Sequence, residues 1–163
     1  MSADQRYGVI TEQPGGGRQL QFRRSWPDPI DDVWAALTEP ERLARWIGRY
    51  DGERGAGGVG TFTMTHEAEP VSEAFAVVEC DPPRRLVVEW TAEMDFRVEL
   101  DLAVEDGRTV LLFTQVYRPG VDVGDYAAGW HWYLDKFEAE LVGGPQPADW
   151  DAFFAEVGPG YKG

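Results

Sequence analysis

An α+β fold is what this sequence predicts, and three features predict it. From Tyr50 to Tyr117 apolar and polar residues alternate with a period of two, the mark of successive half-buried strands. Helical periodicity flanks that stretch, as two short segments before it and one long amphipathic segment after it. Short turn-rich connections separate the strands, which favours an antiparallel meander over parallel β-α-β units. At 163 residues the chain is one domain's length, and a single domain over 1–163 is expected.

The elements follow in order. "YGVI" and "RQLQFRRSW" flank the turn-rich "TEQPGGG" and predict a hairpin, with Leu20, Phe22 and Trp26 on one strand face. Arg24 shares that parity, so it either pairs with an acid such as Glu73 or emerges past the sheet edge. In "PDPIDDVWAALTEPERLARWIGR", Asp28 suits an N-cap, Pro29 the first helical position, and Asp31 and Asp32 the positive helix start. Ile30, Val33, Trp34 and Leu37 then form an apolar stripe. Thr38 and Glu41 read as a capping box opening a second short helix, whose apolar side is Leu43, Trp46 and Ile47.

Five strands come next: "GVGTFTMTHE", "VSEAFAVVEC", "RRLVVEWTAE", "FRVELDLAVE" and "RTVLLFTQVY". Asp81-Pro82-Pro83 is a turn and Asp106-Gly107 a hairpin signal. Phe96, Val98, Leu100 and Leu102 alternate with Arg97, Glu99 and Asp101, so that strand has one wet face. Leu86, Val88 and Trp90 alternate in the same way. After "RPGVDVG" a helix of about eighteen residues runs to Gly143-Gly144-Pro145. Tyr126, Trp130, Leu134 (or Tyr133), Phe137 and Leu141 form its sheet-facing stripe. Trp132 lies about 200 degrees round from Trp130 and points away; His131 sits at the flank, one turn before Asp135. The tail "PADWDAFFAEV" spaces Trp150, Phe153, Phe154 and Val157 as a short extra helix packed on the body.

Composition excludes several functions. A net charge of −14 repels phosphate backbones and anionic lipid, so neither nucleic acid nor a membrane surface is an expected partner. No apolar run reaches the roughly 18 residues of a membrane helix, and no secretory signal is visible. Cys80 is alone, which rules out an internal disulfide and makes a cytoplasmic location the expectation. It reads as a packed side chain rather than a nucleophile.

The order of elements implies a curved sheet wrapped around one helix, a shape that encloses more space than side chains easily fill. Four segments in that order carry a resemblance: "RRSWPDPIDDVWAALTEPERLARWIG", "VVECDPPRRLVVEW", "RTVLLFTQ" and "GWHWYLDKFEAEL". Over residues 7–143 the chain resembles the SRPBCC superfamily, also called START-like or birch-pollen-allergen-like. It is closest to the branch similar to the C-terminal domain of the activator of the heat-shock chaperone ATPase; "ADWDAFF", within the tail 144–163, resembles an ending found in part of that branch. The resemblance implies a helix-grip fold, with a deep cavity between the sheet and the last helix.

On that reading the wall candidates from the helices are Trp46, Tyr126, Trp130, Leu134 and Phe137. Those from the sheet are Phe62, Met64, Phe75, Val77, Trp90, Val98 and Leu100, then Leu111 and Phe113. Each serves equally as plain core. Gln115 and Tyr117 are the polar exceptions on the inward face, and His131 is read either as a flank histidine paired with Asp135 or as a ligand contact at the cavity mouth.

Other motifs lead nowhere. "DGERGAGGVG" lacks the Gly-Lys-Ser/Thr of a phosphate loop and reads as a turn at the cavity rim. In "HEAE" a strand would place His66 and Glu67 on opposite faces, and no second histidine sits at metal-binding spacing. No G-x-S-x-G elbow is present, and Glu67, Asp95, His66 and His131 form no convincing acid–base pair. No metal and no cofactor are expected. The leading expectation is a binder of a small hydrophobic or aromatic ligand. A cyclase-type cavity enzyme and a chaperone-ATPase-activator-like interaction module are the alternatives, although the eukaryotic activator has an additional N-terminal domain for which this chain has no room. Trp132, Trp150 and Phe154, read as exposed, would give a homodimer its contact surface.

Overall fold

The computed structural model describes residues 5–67, 69–91 and 96–161; Asp95 lies outside them. Eight antiparallel strands form one curved sheet in the order β1-β2-β8-β7-β6-β5-β4-β3. β1 (Gln5–Glu12) and β2 (Arg18–Trp26) are the predicted hairpin. α1 (Ile30–Thr38) and α2 (Pro40–Trp46) then carry the chain from β2 to the far edge of the sheet. From that edge β3 (Gly48–Gly52), β4 (Val59–Met64), β5 (Val71–Asp81), β6 (Arg85–Trp90), β7 (Phe96–Glu105) and β8 (Arg108–Tyr117) meander back until β8 pairs with β2. β3, with four charged or glycine residues among five, shows no alternation and was not expected. The β7–β8 turn holds Asp106 and Gly107 at φ 52° and 75°, the left-handed pair of a tight hairpin.

α3 (Val123–Val142) crosses the sheet and ends at Gly143 in the left-handed conformation. Phe137, fully buried on α3, meets Trp26 of β2 and Trp46 of α2 edge-on, with ring centroids 5.4 and 5.0 Å away. Burying a side chain of that size contributes about 2 to 3 kcal/mol. α4 (Trp150–Val157), capped by the Asp149 carboxylate accepting from the Ala152 N–H at 3.0 Å, packs back on α3 and is followed by a 3-10 turn, Gly158–Tyr161.

Several local expectations need correction. α1 starts one residue late, with Pro29 at its cap, while the Asp28 carbonyl accepts the Thr109 hydroxyl at 2.7 Å. The Thr38–Glu41 capping box does not form. A residue before proline is held extended, so Glu39 (φ −75°, ψ 134°) becomes the cap, and the Thr38 hydroxyl donates back to Trp34 at 2.8 Å. His66 and Glu67 lie in the turn after β4 rather than on a strand.

Arg24 neither pairs with Glu73 nor leaves the sheet edge. It is completely buried, donating to Asp135 of α3 at 3.0 Å and to the Arg6 carbonyl at 2.7 Å, while its Nε has no partner. Trp132 is likewise not exposed: at 8 % it lies under the tail, its indole N–H donating to the Ala148 carbonyl. Phe154 is half-buried, so of the three aromatics read as a dimer surface only Trp150 stays exposed, at 37 %.

Candidate functional site

Between the sheet and α3 lies a cavity of about 310 Å³. Its floor comes from alternate residues of the meander: Phe62, Phe75 and Val77, then Val88, Trp90, Val98, Leu100 and Phe113. Period-two alternation puts them on one face, and the bulge between Val77 and Glu79 bends β5 around them. Trp130 and Leu134 of α3 form the roof, with Trp34, Leu37, Leu43 and Trp46 from the short helices at the side. Phe62, Phe75 and Trp90 pack mutually with centroids 4.9 to 5.7 Å apart. Arg54 and Gly55 of the glycine-rich connection line the same cavity, and an Arg54 guanidinium N–H donates to the Thr38 carbonyl at 2.6 Å.

Ten of the residues singled out in the sequence therefore meet at one void: Trp46, Phe62, Phe75, Val77, Trp90, Val98, Leu100, Phe113, Trp130 and Leu134. The others do not line it. Leu111 and Phe137 are core. Met64 and Tyr126 line a second chamber of about 610 Å³, on the side of Trp90 and Trp130 towards α4; those two tryptophans border both spaces, centroids 6.0 Å apart. Missed in the sequence were Leu43 of the short helix α2 and Pro82 of the β5–β6 turn, which carry no strand periodicity, and Cys80 near the end of β5, beyond its bulge; the glycine-rich connection was expected at the rim, but Arg54 itself was not singled out.

Gln115 and Tyr117 line neither space and bond to each other instead. The buried Gln115 side-chain carbonyl accepts the Tyr117 hydroxyl at 2.5 Å and the Trp130 indole N–H at 2.9 Å. Desolvation raises the Tyr117 phenol far above its ordinary range, so it stays a donor. Gln115 thus anchors Trp130 from behind, holding the shared wall between the two spaces.

His131 is not at the cavity mouth. It is 3 % exposed, beneath the C-terminal tail, with Tyr7 of β1, Phe22 of β2, Phe153 and Tyr161 around its ring. The Gly8 N–H donates to the Tyr161 hydroxyl oxygen at 2.7 Å, leaving that hydroxyl's proton for His131 Nδ1 at 2.9 Å. Nδ1 is then the acceptor and Nε2 carries the hydrogen, 3.7 Å from Asp135. Burial first, then repulsion from Arg24 and Arg6, lowers the imidazole pKa to about 3. Asp135 is chiefly the partner of Arg6 and Arg24. Among the described residues no group of three or more His, Cys, Asp or Glu is placed to hold a metal ion, and no helix is long and apolar enough to cross a membrane.

A curved sheet gripping a long helix around a void places the chain in the helix-grip class. The chain belongs to the family described as activator of Hsp90 ATPase homolog 1-like protein, which matches residues 28–142. Among solved structures it is similar to CalU16 from Micromonospora echinospora, at 28 % identity over 98 % of this chain and 96 % of that one, with a TM-score of 0.75. The protein encoded by gene BPP1335 of Bordetella parapertussis shares the fold at 23 % identity, covering 99 % and 93 % of the two chains, TM-score 0.73. DynU16, described as a putative protein in the dynemicin biosynthetic locus, aligns at 25 % identity over 81 % of this chain and 50 % of its own, TM-score 0.62. A search of the curated proteins finds no match.

Proposed function

We propose that this protein binds a small, compact hydrophobic or aromatic molecule in the cavity between the sheet and α3. The observation that carries the reading is the void itself, about 310 Å³ and walled almost wholly by aromatic and aliphatic side chains. Small-molecule sites span about 300–1,000 Å³ and are mostly apolar with few polar groups, so this one is at the compact end. Among the described residues neither a carboxylate nor an imidazole lines it, which favours binding over a cyclase-type reaction needing a proton donor and acceptor inside. The similarity to DynU16, described as a putative protein in the dynemicin biosynthetic locus, accords with the reading. The family description keeps a chaperone-ATPase contact as the second reading, tested by whether the protein stimulates such an ATPase.

The test is a titration with a polycyclic aromatic fluorophore, using wild type and Val98→Phe, whose added ring projects into the cavity. Saturable one-to-one binding that weakens at least tenfold in the folded variant is expected. Equal affinity in both proteins would place the probe elsewhere and overturn the assignment.

A further inference from the structure

The chamber of about 610 Å³ beyond the Trp90–Trp130 wall differs in chemistry from the apolar cavity. Six aromatic rings border it: Trp90, Tyr126, Trp130, Trp132, Tyr133 and Trp150. They come from the sheet, α3 and α4, and several are fixed by hydrogen bonds. Trp130 is tied to Gln115, Trp132 to the Ala148 carbonyl, and the Tyr133 hydroxyl donates to Glu67. Trp132 and Trp150 meet edge to face at 5.6 Å.

Carboxylates occupy the gaps between the rings. Glu67, Glu73, Asp125, Asp149 and Asp151 all line the chamber, and among the described residues no lysine or arginine does. None of these five makes a salt bridge among the described residues, whereas most acids on the outer face of β5–β7 are paired with Arg85 or Arg97. They also form no metal-binding group. What complements the space is a diffuse positive charge on an apolar body, stabilised by ring faces and by carboxylates that make no salt bridge among the described residues. Trp132 already shows this preference, with the Lys136 ammonium 5.0 Å from its ring centroid.

We propose that this chamber is a binding site for an organic ammonium cation, in particular an alkylated amine on a small apolar or aromatic frame. The assignment is independent of the apolar cavity, because an unfilled cavity would leave the aromatic and carboxylate walls as they are.

The probe is benzyltrimethylammonium, compared with its neutral carbon isostere neopentylbenzene at 0.15 M salt. Binding is followed through the indole N–H resonances of the seven tryptophans. The expected result is saturable one-to-one binding that shifts Trp90, Trp130, Trp132 and Trp150, with the isostere at least tenfold weaker. Glu67→Gln combined with Glu73→Gln should weaken the cation at least tenfold. Gly129→Leu should do the same by occupying the chamber, since a side chain at Gly129 enters open space. If the double variant unfolds, the Gly129 variant decides. Equal affinity for cation and isostere, non-saturating shifts of counterion type, or shifts confined to Trp26, Trp34 and Trp46 would each overturn the proposal.

Discussion

Lowering the pH from 7 to 5 should destabilise this protein through His131 by a calculable amount. In the unfolded chain the imidazole has its ordinary pKa of 6.5; in the fold, burial and the guanidinium groups of Arg24 and Arg6 hold it at about 3. A depressed folded pKa means that stability is fully present above 6.5 and falls as protons bind the unfolded chain alone, down to about pH 3. At 1.36 kcal/mol per pH unit once the unfolded imidazole is mostly protonated, the loss between pH 7 and 5 is about 2 kcal/mol. Asp135 lies 3.7 Å from the same ring and its carboxyl is itself raised by burial, so a reference variant is needed. His131→Gln keeps an acceptor for the Tyr161 hydroxyl and removes the titrating group. Urea unfolding of both proteins at the two pH values, followed by tryptophan fluorescence, gives the difference of differences. An equal pH-dependent loss in wild type and variant would refute a neutral, buried His131.

Four more substitutions separate the contributions. Asp135→Asn should cost about 3 kcal/mol in chemical denaturation because it strips the carboxylate from the fully buried Arg24, whereas Arg24→Met should cost clearly less, since Asp135 keeps Arg6. Phe137→Ala should cost about 3–5 kcal/mol by opening a hole between Trp26 and Trp46, measured by the same unfolding curves. Gly129→Ala should stabilise by about 0.5–1 kcal/mol, because a methyl there meets open space inside a helix.

Legibility in the sequence followed the reach of the interactions. β7 and β8 were readable to the residue because a half-buried strand writes its burial pattern into every second position. The wall of the apolar cavity was partly readable for the same reason, down to Trp90, Val98 and Phe113. Trp132 was misplaced because a helical wheel assumes one buried face, and the α4 tail buries a second; His131 keeps the expected neighbour Asp135, 3.7 Å away, but that second face buries it as well. Arg24 was unreadable because its partner Asp135 lies 111 residues away, and Gln115 became a support for Trp130 only once α3 was laid across β8. Arg54 carried no periodic signal at all, since it reaches the cavity from a loop.

Occupancy of the apolar cavity tests the central claim most directly. Native mass spectrometry of the purified protein, followed by solvent extraction, should show a bound small hydrophobic or aromatic molecule, or its stoichiometric uptake from an added panel of compact aromatics. Val98→Phe should lose it. A single mass equal to the bare chain throughout the panel, with no uptake at any concentration, would contradict the account.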